Sequence, residues 1–181
     1  MIEPVVQTAR LLLRPPVEAD LEGWAAFMCD ETAMRHLGGC QPRPVAWQRM
    51  AMARGSWALR GYGYFSVIEC SSGRWIGRVG PLRPEGWPGT EIGWGLLPET
   101  WGRGYATEAA AAAMDFAIDT LGWTDIIHVI SPENTPSSAV AARLGSRYRG
   151  PGRLPPPYGD QRADIWGQSA AEWRERRRVT P

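Results

Sequence analysis

Three leucines, Leu11 to Leu13, stand between arginines and ahead of Pro15-Pro16, and this short apolar run predicts a first strand from Gln7 to Pro15. Leu21, Trp24, Ala25 and Met28 then recur at helical spacing, with Pro16 placed to open the helix. Beyond Gly38-Gly39, Pro42 and Pro44, the positions Trp47, Met50, Ala51 and Arg54 predict a second helix ending near Gly61. The period then shortens. Tyr64 to Cys70 and Trp75 to Gly80, joined by Ser71-Ser72-Gly73, read as an antiparallel hairpin. A third strand, Thr90 to Leu97, stops at Pro98. A helix follows from about Tyr105 to Leu121, favoured by the alanine run Ala109 to Ala113 and closed by Gly122. Asp125 to Ile130 is apolar enough for a buried strand, and Thr135-Pro136 opens a helix that closes at Leu144-Gly145. Gly150 to Gly159 reads as a Pro/Gly-rich loop, Ala163 to Gln168 as a last strand and Ala170 to Arg178 as a terminal helix. This order implies an α/β chain of the α+β type, a mixed sheet with helices on its faces, and neither a bundle nor a sandwich.

Composition narrows the classes. A chain of 181 residues that is 44% hydrophobic and 22% charged is expected to fold as one domain over residues 1–181. Its net charge of +1 gives no electrostatic reason for a nucleic-acid or membrane partner, and no apolar run reaches the ~20 residues of a membrane helix. Cys29, Cys40 and Cys70 are odd in number and lack CxxC spacing, which argues against a disulfide framework or zinc ribbon and for a reducing, cytoplasmic setting. His36 and His128 have no partners at metal-ligand spacing, so no metal is expected, and His128 in its apolar strand reads as a satisfied histidine. The Arg-rich end, Arg174 to Arg178, reads as a solvated helix face.

The chemistry concentrates in Glu91 to Glu108, EIGWGLLPETWGRGYATE, a strand, a loop with two close glycines and a strong helix. Gly102 and Gly104 let successive N–H groups turn into one concave space, and the positive end of the next helix points there too. Such a place suits phosphate oxygens. A P-loop is disfavoured because Gly104 is followed by Tyr105-Ala106 and the chain has no Lys; a dinucleotide fingerprint is weakened by Thr107 where a third glycine belongs.

Four ordered blocks, Thr8 to Arg14 (TARLLLR), Gly73 to Gly80 (GRWIGRVG), Trp101 to Ala109 (WGRGYATEA) and Asn134 to Gly145 (NTPSSAVAARLG), resemble the GNAT superfamily of acetyl-coenzyme-A-dependent N-acetyltransferases, and in particular its RimJ/RimL-like branch. Trp101 stands where the family's loop begins with Arg or Gln, and Ser146 where an aromatic residue usually follows Leu-Gly. The resemblance implies the GNAT fold, a mixed, mostly antiparallel central sheet splayed at the cofactor cleft with helices on both faces. It implies acetyl-CoA as cofactor, with the main chain of Leu96 and Leu97 pairing with the pantetheine arm and an N–H near Leu96 facing the thioester oxygen. It further implies that Gly102, Arg103, Gly104, Tyr105, Ala106 and Thr107 hold the pyrophosphate. Asn134 would contact the cofactor, and Ser137 would lie near the sulfur as cofactor contact and proton donor to the thiolate.

Acceptance of an amine requires removal of a proton, since an α-amine has a pKa of about 7.7 to 8.0 and a lysine-like amine about 10.4. By the resemblance Glu91 would be that base, and burial would raise its pKa toward the working range. Glu108, in the first turn of its helix, reads as a partner of the helix dipole, and Trp87 and Trp57 as walls of the acceptor pocket. The acceptor is then a protein N-terminus, a polyamine or a small-molecule amine. No cysteine has an activating neighbour, so direct transfer in a ternary complex is expected. A homodimer is common in such folds. The alternative is a non-catalytic acyl-CoA-binding sensor or interaction module.

Overall fold

The computed structural model describes residues 4–179. Its elements run β1 (Val6–Gln7), β2 (Leu11–Arg14), α1 (Leu21–Cys29), α2 (Glu31–Met34), α3 (Arg43–Arg60), β3 (Phe65–Glu69), β4 (Trp75–Leu82), β5 (Glu91–Leu96), α4 (Tyr105–Asp119), β6 (Asp125–Ile130), α5 (Thr135–Arg143), β7 (Arg147–Gly152), β8 (Ala163–Ser169) and α6 (Ala170–Val179). The strands form one open mixed sheet in the order β1-β2-β3-β4-β5-β6-β8-β7. Every neighbouring pair is antiparallel except β5 and β6, which run parallel.

Apolar side chains on the two faces of this sheet make two cores. On one face the sheet packs against α4, α5 and α6, where Ala109, Ala110, Ala113 and Ala117 are fully buried. Their small side chains let α4 lie close to β4 and β5, so the same alanine run that favours the helix also fits it to the sheet. On the other face α1, α2 and α3 bury Trp24, Phe27, Met34 and Met50 against Trp75 and Leu97. The Arg-rich end is exposed, yet it docks: Arg177 and the Trp173 indole both reach Asp115, at 2.6 and 2.8 Å, and Arg174 reaches Asp119 at 3.1 Å.

Three elements differ from the sequence expectation. α2 is a four-residue turn of helix, too short to show a period; it is held by the Asp30 carboxylate, which accepts from the Ala33 N–H at 2.7 Å. β1 is only two residues long and adds to the sheet edge beside β2. β7 overturns part of the loop expected from Gly150: Arg147 to Gly152 carries no apolar alternation, and its main chain is a strand because β8 offers a partner along its length. Among the described residues no helix is long and apolar enough to cross a membrane.

Candidate active site

The parallel pair β5 and β6 supplies the cleft. The two strands share a single register pair, Glu91 with Ile127, supported by the Ile127 N–H donating to the Thr90 carbonyl at 2.9 Å. Beyond it side chains replace the ladder. The Val129 N–H donates to Glu91 Oε1 at 3.1 Å, and His128 Nδ1 donates to the Ile92 carbonyl at 2.7 Å. With Nδ1 so committed, His128 Nε2 accepts from the Ser146 hydroxyl at 3.0 Å, and Ser146 Oγ in turn accepts from the Gln168 amide at 2.9 Å. Ser146, in place of an aromatic residue, is thus the group that orients the histidine. Burial pushes the His128 pKa down to about 4, so the ring is neutral at pH 7 and serves as a brace.

Glu91 sits where the strands part. It is 5% exposed, and its Oε2 accepts from the Trp87 indole at 2.6 Å. Burial pushes its carboxyl up to about 7, against the pull of the Val129 and Trp87 hydrogen bonds and the charge of Arg78. From here a cleft of about 510 Å3 runs between the diverging strands to the start of α4, lined by Glu91, Trp94, Leu96, Ala106, Asn134 and Ser137 among others.

Strand parity decides which main-chain groups face that cleft. The Leu97 N–H donates to the Ile76 carbonyl at 2.9 Å, and its own carbonyl accepts from the Thr100 N–H and hydroxyl. The expectation that Leu97 pairs with a cofactor arm is therefore corrected, because both of its polar groups are committed elsewhere. Alternation along β5 turns the main chain of Trp94 and Leu96 to the cleft instead. The Leu96 carbonyl accepts from the Trp101 indole at 2.9 Å, which ties the following loop to the end of β5.

In that loop Gly102 and Gly104 adopt φ values of 72° and 79°, the left-handed region where a Cβ is costly. The first bond inside α4 is from the Glu108 N–H to the Gly104 carbonyl, at 3.0 Å, so the N–H groups of Tyr105, Ala106 and Thr107 precede the helical ladder and are open to an anion. The side chains of Arg103 and Tyr105 turn the other way. Both meet Glu69 Oε1, at 3.2 and 2.6 Å, and the guanidinium groups of Arg10 and Arg103 lie 4.5 and 4.7 Å from the Tyr105 ring centre. What these two residues present to an anion is backbone.

Glu108 does more than face a dipole. It accepts from the Thr8 hydroxyl at 2.6 Å and from Arg10 Nε at 2.7 Å, while Arg10 Nη1 donates to the Arg103 carbonyl at 2.9 Å. Burial raises the Glu108 carboxyl, but Thr8 and Arg10 outweigh it and hold the group below its usual value. The first and third sequence blocks are thereby parts of one clamp on the loop. In a double-mutant cycle, Arg10→Ala and Glu108→Ala are expected to couple by about 1 kcal/mol in urea unfolding; additive losses would mean that the clamp carries no energy.

On the far wall the Asn134 side chain caps α5, accepting from the Ser137 N–H at 3.2 Å, and both residues line the cleft. Ser137 Oγ accepts from the Trp94 indole at 3.3 Å, and the Trp94 ring lies 4.8 Å from that of His128. Sequence reasoning passed over Trp94; its signal was parity, two positions before Leu96. Trp87 lies beside Glu91 and packs edge-on to Tyr158 at 5.9 Å. Trp57 does not join it: buried in the core against Phe65 and Phe116, it donates to the Tyr64 carbonyl, which corrects its assignment as a pocket wall.

The model of the acetyltransferase (GNAT) domain matches residues 10–147. The Bacillus subtilis (strain 168) protein named uncharacterized N-acetyltransferase YnaD is 29% identical over 153 residues, covering 80% of this chain and 84% of its own length. Among solved structures, the acetyltransferase from Agrobacterium tumefaciens str. C58 is 31% identical with a TM-score of 0.80, covering 93% of this chain and 95% of that one. RimJ of Mycobacterium smegmatis, solved in complex with CoA-disulfide, shares the fold at a TM-score of 0.70 and 19% identity, over 94% of this chain and 88% of that one.

Proposed function

Because the chain belongs to the GNAT acetyltransferase family, whose members draw acetyl groups from acetyl-CoA, we propose that it moves acetyl directly to a primary amine, with Glu91 as the base. The four ordered blocks of sequence support a place in the RimJ/RimL-like branch. One observation carries the reading: a carboxylate that burial has moved to about 7 stands at the mouth of the split between β5 and β6.

The chain's residues fit the cofactor. The N–H groups that open α4 suit a diphosphate, and the cleft-facing edge of β5 at Trp94 and Leu96 offers an extended arm a strand to pair with. When bound, acetyl-CoA supplies an activated acyl thioester. The Leu96 N–H would donate to the acyl oxygen as negative charge gathers there. Glu91 accepts the ammonium proton of the acceptor, directly or through a water, so that the nitrogen lone pair is free to attack. The Ser137 hydroxyl, which receives the Trp94 N–H, would give its proton to the departing thiolate and regain one from the second proton that the attacking nitrogen sheds as the C–S bond breaks. With its pKa near 4, His128 is too weak a base for the amine and holds the Ile92 carbonyl instead.

The test is thiol release from acetyl-CoA in the presence of peptides with free N-termini, polyamines and small amines, followed by mass spectrometry of the product. Stoichiometric thiol and an acetylated amine are expected. Tight acetyl-CoA binding with no amine acetylated would favour the acyl-CoA-binding module instead.

A further inference from the structure

Arg78 projects from β4 on the α1 side of the sheet, directly across the ladder from Gly95. Along the same face of β5 stand Gly93 and Glu91. The guanidinium of Arg78 lies 4.4 Å from the Tyr64 ring centre, 5.2 Å from that of Trp24 and 5.5 Å from that of Phe27. Its Nε is sealed from solvent with no hydrogen-bond partner, and among the described residues no carboxylate pairs with it. The neighbouring half-buried Arg14 shows how this fold treats a guanidinium that is purely structural: Asp20 grips it with two bonds of 2.7 Å. Aromatic faces attract the charge of Arg78 but accept none of its in-plane N–H bonds. The charge of Arg78 acts on Glu91 through space, but no carboxylate is hydrogen-bonded to it among the described residues.

The acceptor side of the cleft is lined by Phe27 and Tyr64, two of the rings that flank this cation, and the charge of Arg78 acts on both Tyr64 and Glu91. A Cβ on Gly93 would come within 2.9 Å of the Tyr64 hydroxyl and 3.5 Å of Glu91 Oε1, so the phenol and the base converge over this glycine. The Tyr64 hydroxyl makes no hydrogen bond among the described residues, and burial raises its pKa, keeping it a donor. One uncommitted O–H and one unpaired guanidinium therefore lie next to the group that takes the amine proton.

We infer that Arg78 and Tyr64 bind the carboxylate of the acceptor, and that the acceptor is a free amino acid, whose carboxylate lies one carbon from the amine that Glu91 deprotonates. The inference rests on the acetyltransferase reading and selects among its acceptors. A polyamine would bring a second cation toward Arg78. A peptide N-terminus would place a neutral amide where the guanidinium needs a charge, and a charge-assisted bond is about twice as strong as a neutral one.

The experiment measures kcat/KM with acetyl-CoA for a set of free amino acids, each beside its carboxamide and its decarboxylated amine, in the native protein and in Arg78→Gln and Arg78→Lys. The native protein is expected to favour the acid over both analogues by tenfold or more. In Arg78→Gln that ratio falls toward one, and Arg78→Lys keeps part of it. The ratio is the readout because a folding defect lowers both rates together. Equal rates on acid and amide in the native protein, or a preference that survives in Arg78→Gln, overturn the inference and leave the transferase standing. Absence of turnover on every amine despite acetyl-CoA binding overturns both.

Discussion

Glu91→Gln is expected to lower kcat/KM for acetyl transfer by about 10²- to 10⁴-fold, the range for loss of a positioned base, while acetyl-CoA affinity is kept. The argument is one of burial. A surface glutamate would be ionised but too weak a base; here desolvation has lifted the carboxyl to about 7, while the Trp87 indole and Val129 N–H hold it in place. The native rate should climb with pH through about 7 as Glu91 loses its proton, then level off. In the variant the rising limb should move up to the acceptor's own ionisation, about 7.7 to 8.0 for a peptide α-amine and higher still for a free amino acid. An unshifted profile with unreduced turnover would remove Glu91 from the chemistry.

The same group costs the fold stability, and the sign is fixed. Its folded pKa lies above the unfolded value, so the native state binds more protons between about 4.5 and 7 and stability falls as pH rises through that window. The loss is at most about 3 kcal/mol at 1.36 kcal/mol per pKa unit. Glu91→Gln cannot titrate. In urea unfolding, its stability relative to the native protein should therefore improve from about pH 5 to about pH 8 by up to that amount. A constant difference would mean that the carboxyl is not held near neutrality.

The second large effect concerns the loop. Gly104→Val should weaken acetyl-CoA binding at least about 100-fold, equivalent to about 2.8 kcal/mol. Space is not the obstacle, since a Cβ at this position would meet nothing closer than Arg10 Nη2, at 3.5 Å. Conformation is. At φ 79° a side chain costs roughly 1–2 kcal/mol, and a β-branched one more. The valine variant escapes that cost by rotating the peptide, which re-aims the N–H groups opening α4. Gly104→Asn, which tolerates the left-handed region better, should bind between glycine and valine. Calorimetry beside far-UV circular dichroism separates this from unfolding; a valine variant that binds like the native protein would place the cofactor elsewhere.

Much of this was legible in the chain. Apolar period and glycine punctuation located α1, α3, the β3–β4 hairpin, β5, α4 and β6, because each buries a face that its own sequence must encode. α2 and β7 were not legible: one is a single capped turn, and the other is a strand only because β8 lies beside it. At the site, glycine spacing identified the loop, but the sequence could not show which way a β5 residue faces. Leu97 is turned away from the cleft and Trp94 toward it for that reason. Nor does a local pattern reveal that Ser146 braces His128 or that Tyr64 converges with Glu91, since these pairs meet only when distant strands come together.

The central claim is that the main chain opening α4 grips a diphosphate so that a thioester lies along β5. Isothermal titration of the native protein with acetyl-CoA, set beside S-acetylpantetheine, which carries the same thioester arm without the diphosphate, tests it most directly. Saturable binding of acetyl-CoA at one per chain, at least about 100-fold tighter than the truncated thioester, equivalent to about 2.8 kcal/mol, is the result predicted; no saturable heat, or equal affinity for the two, would contradict it.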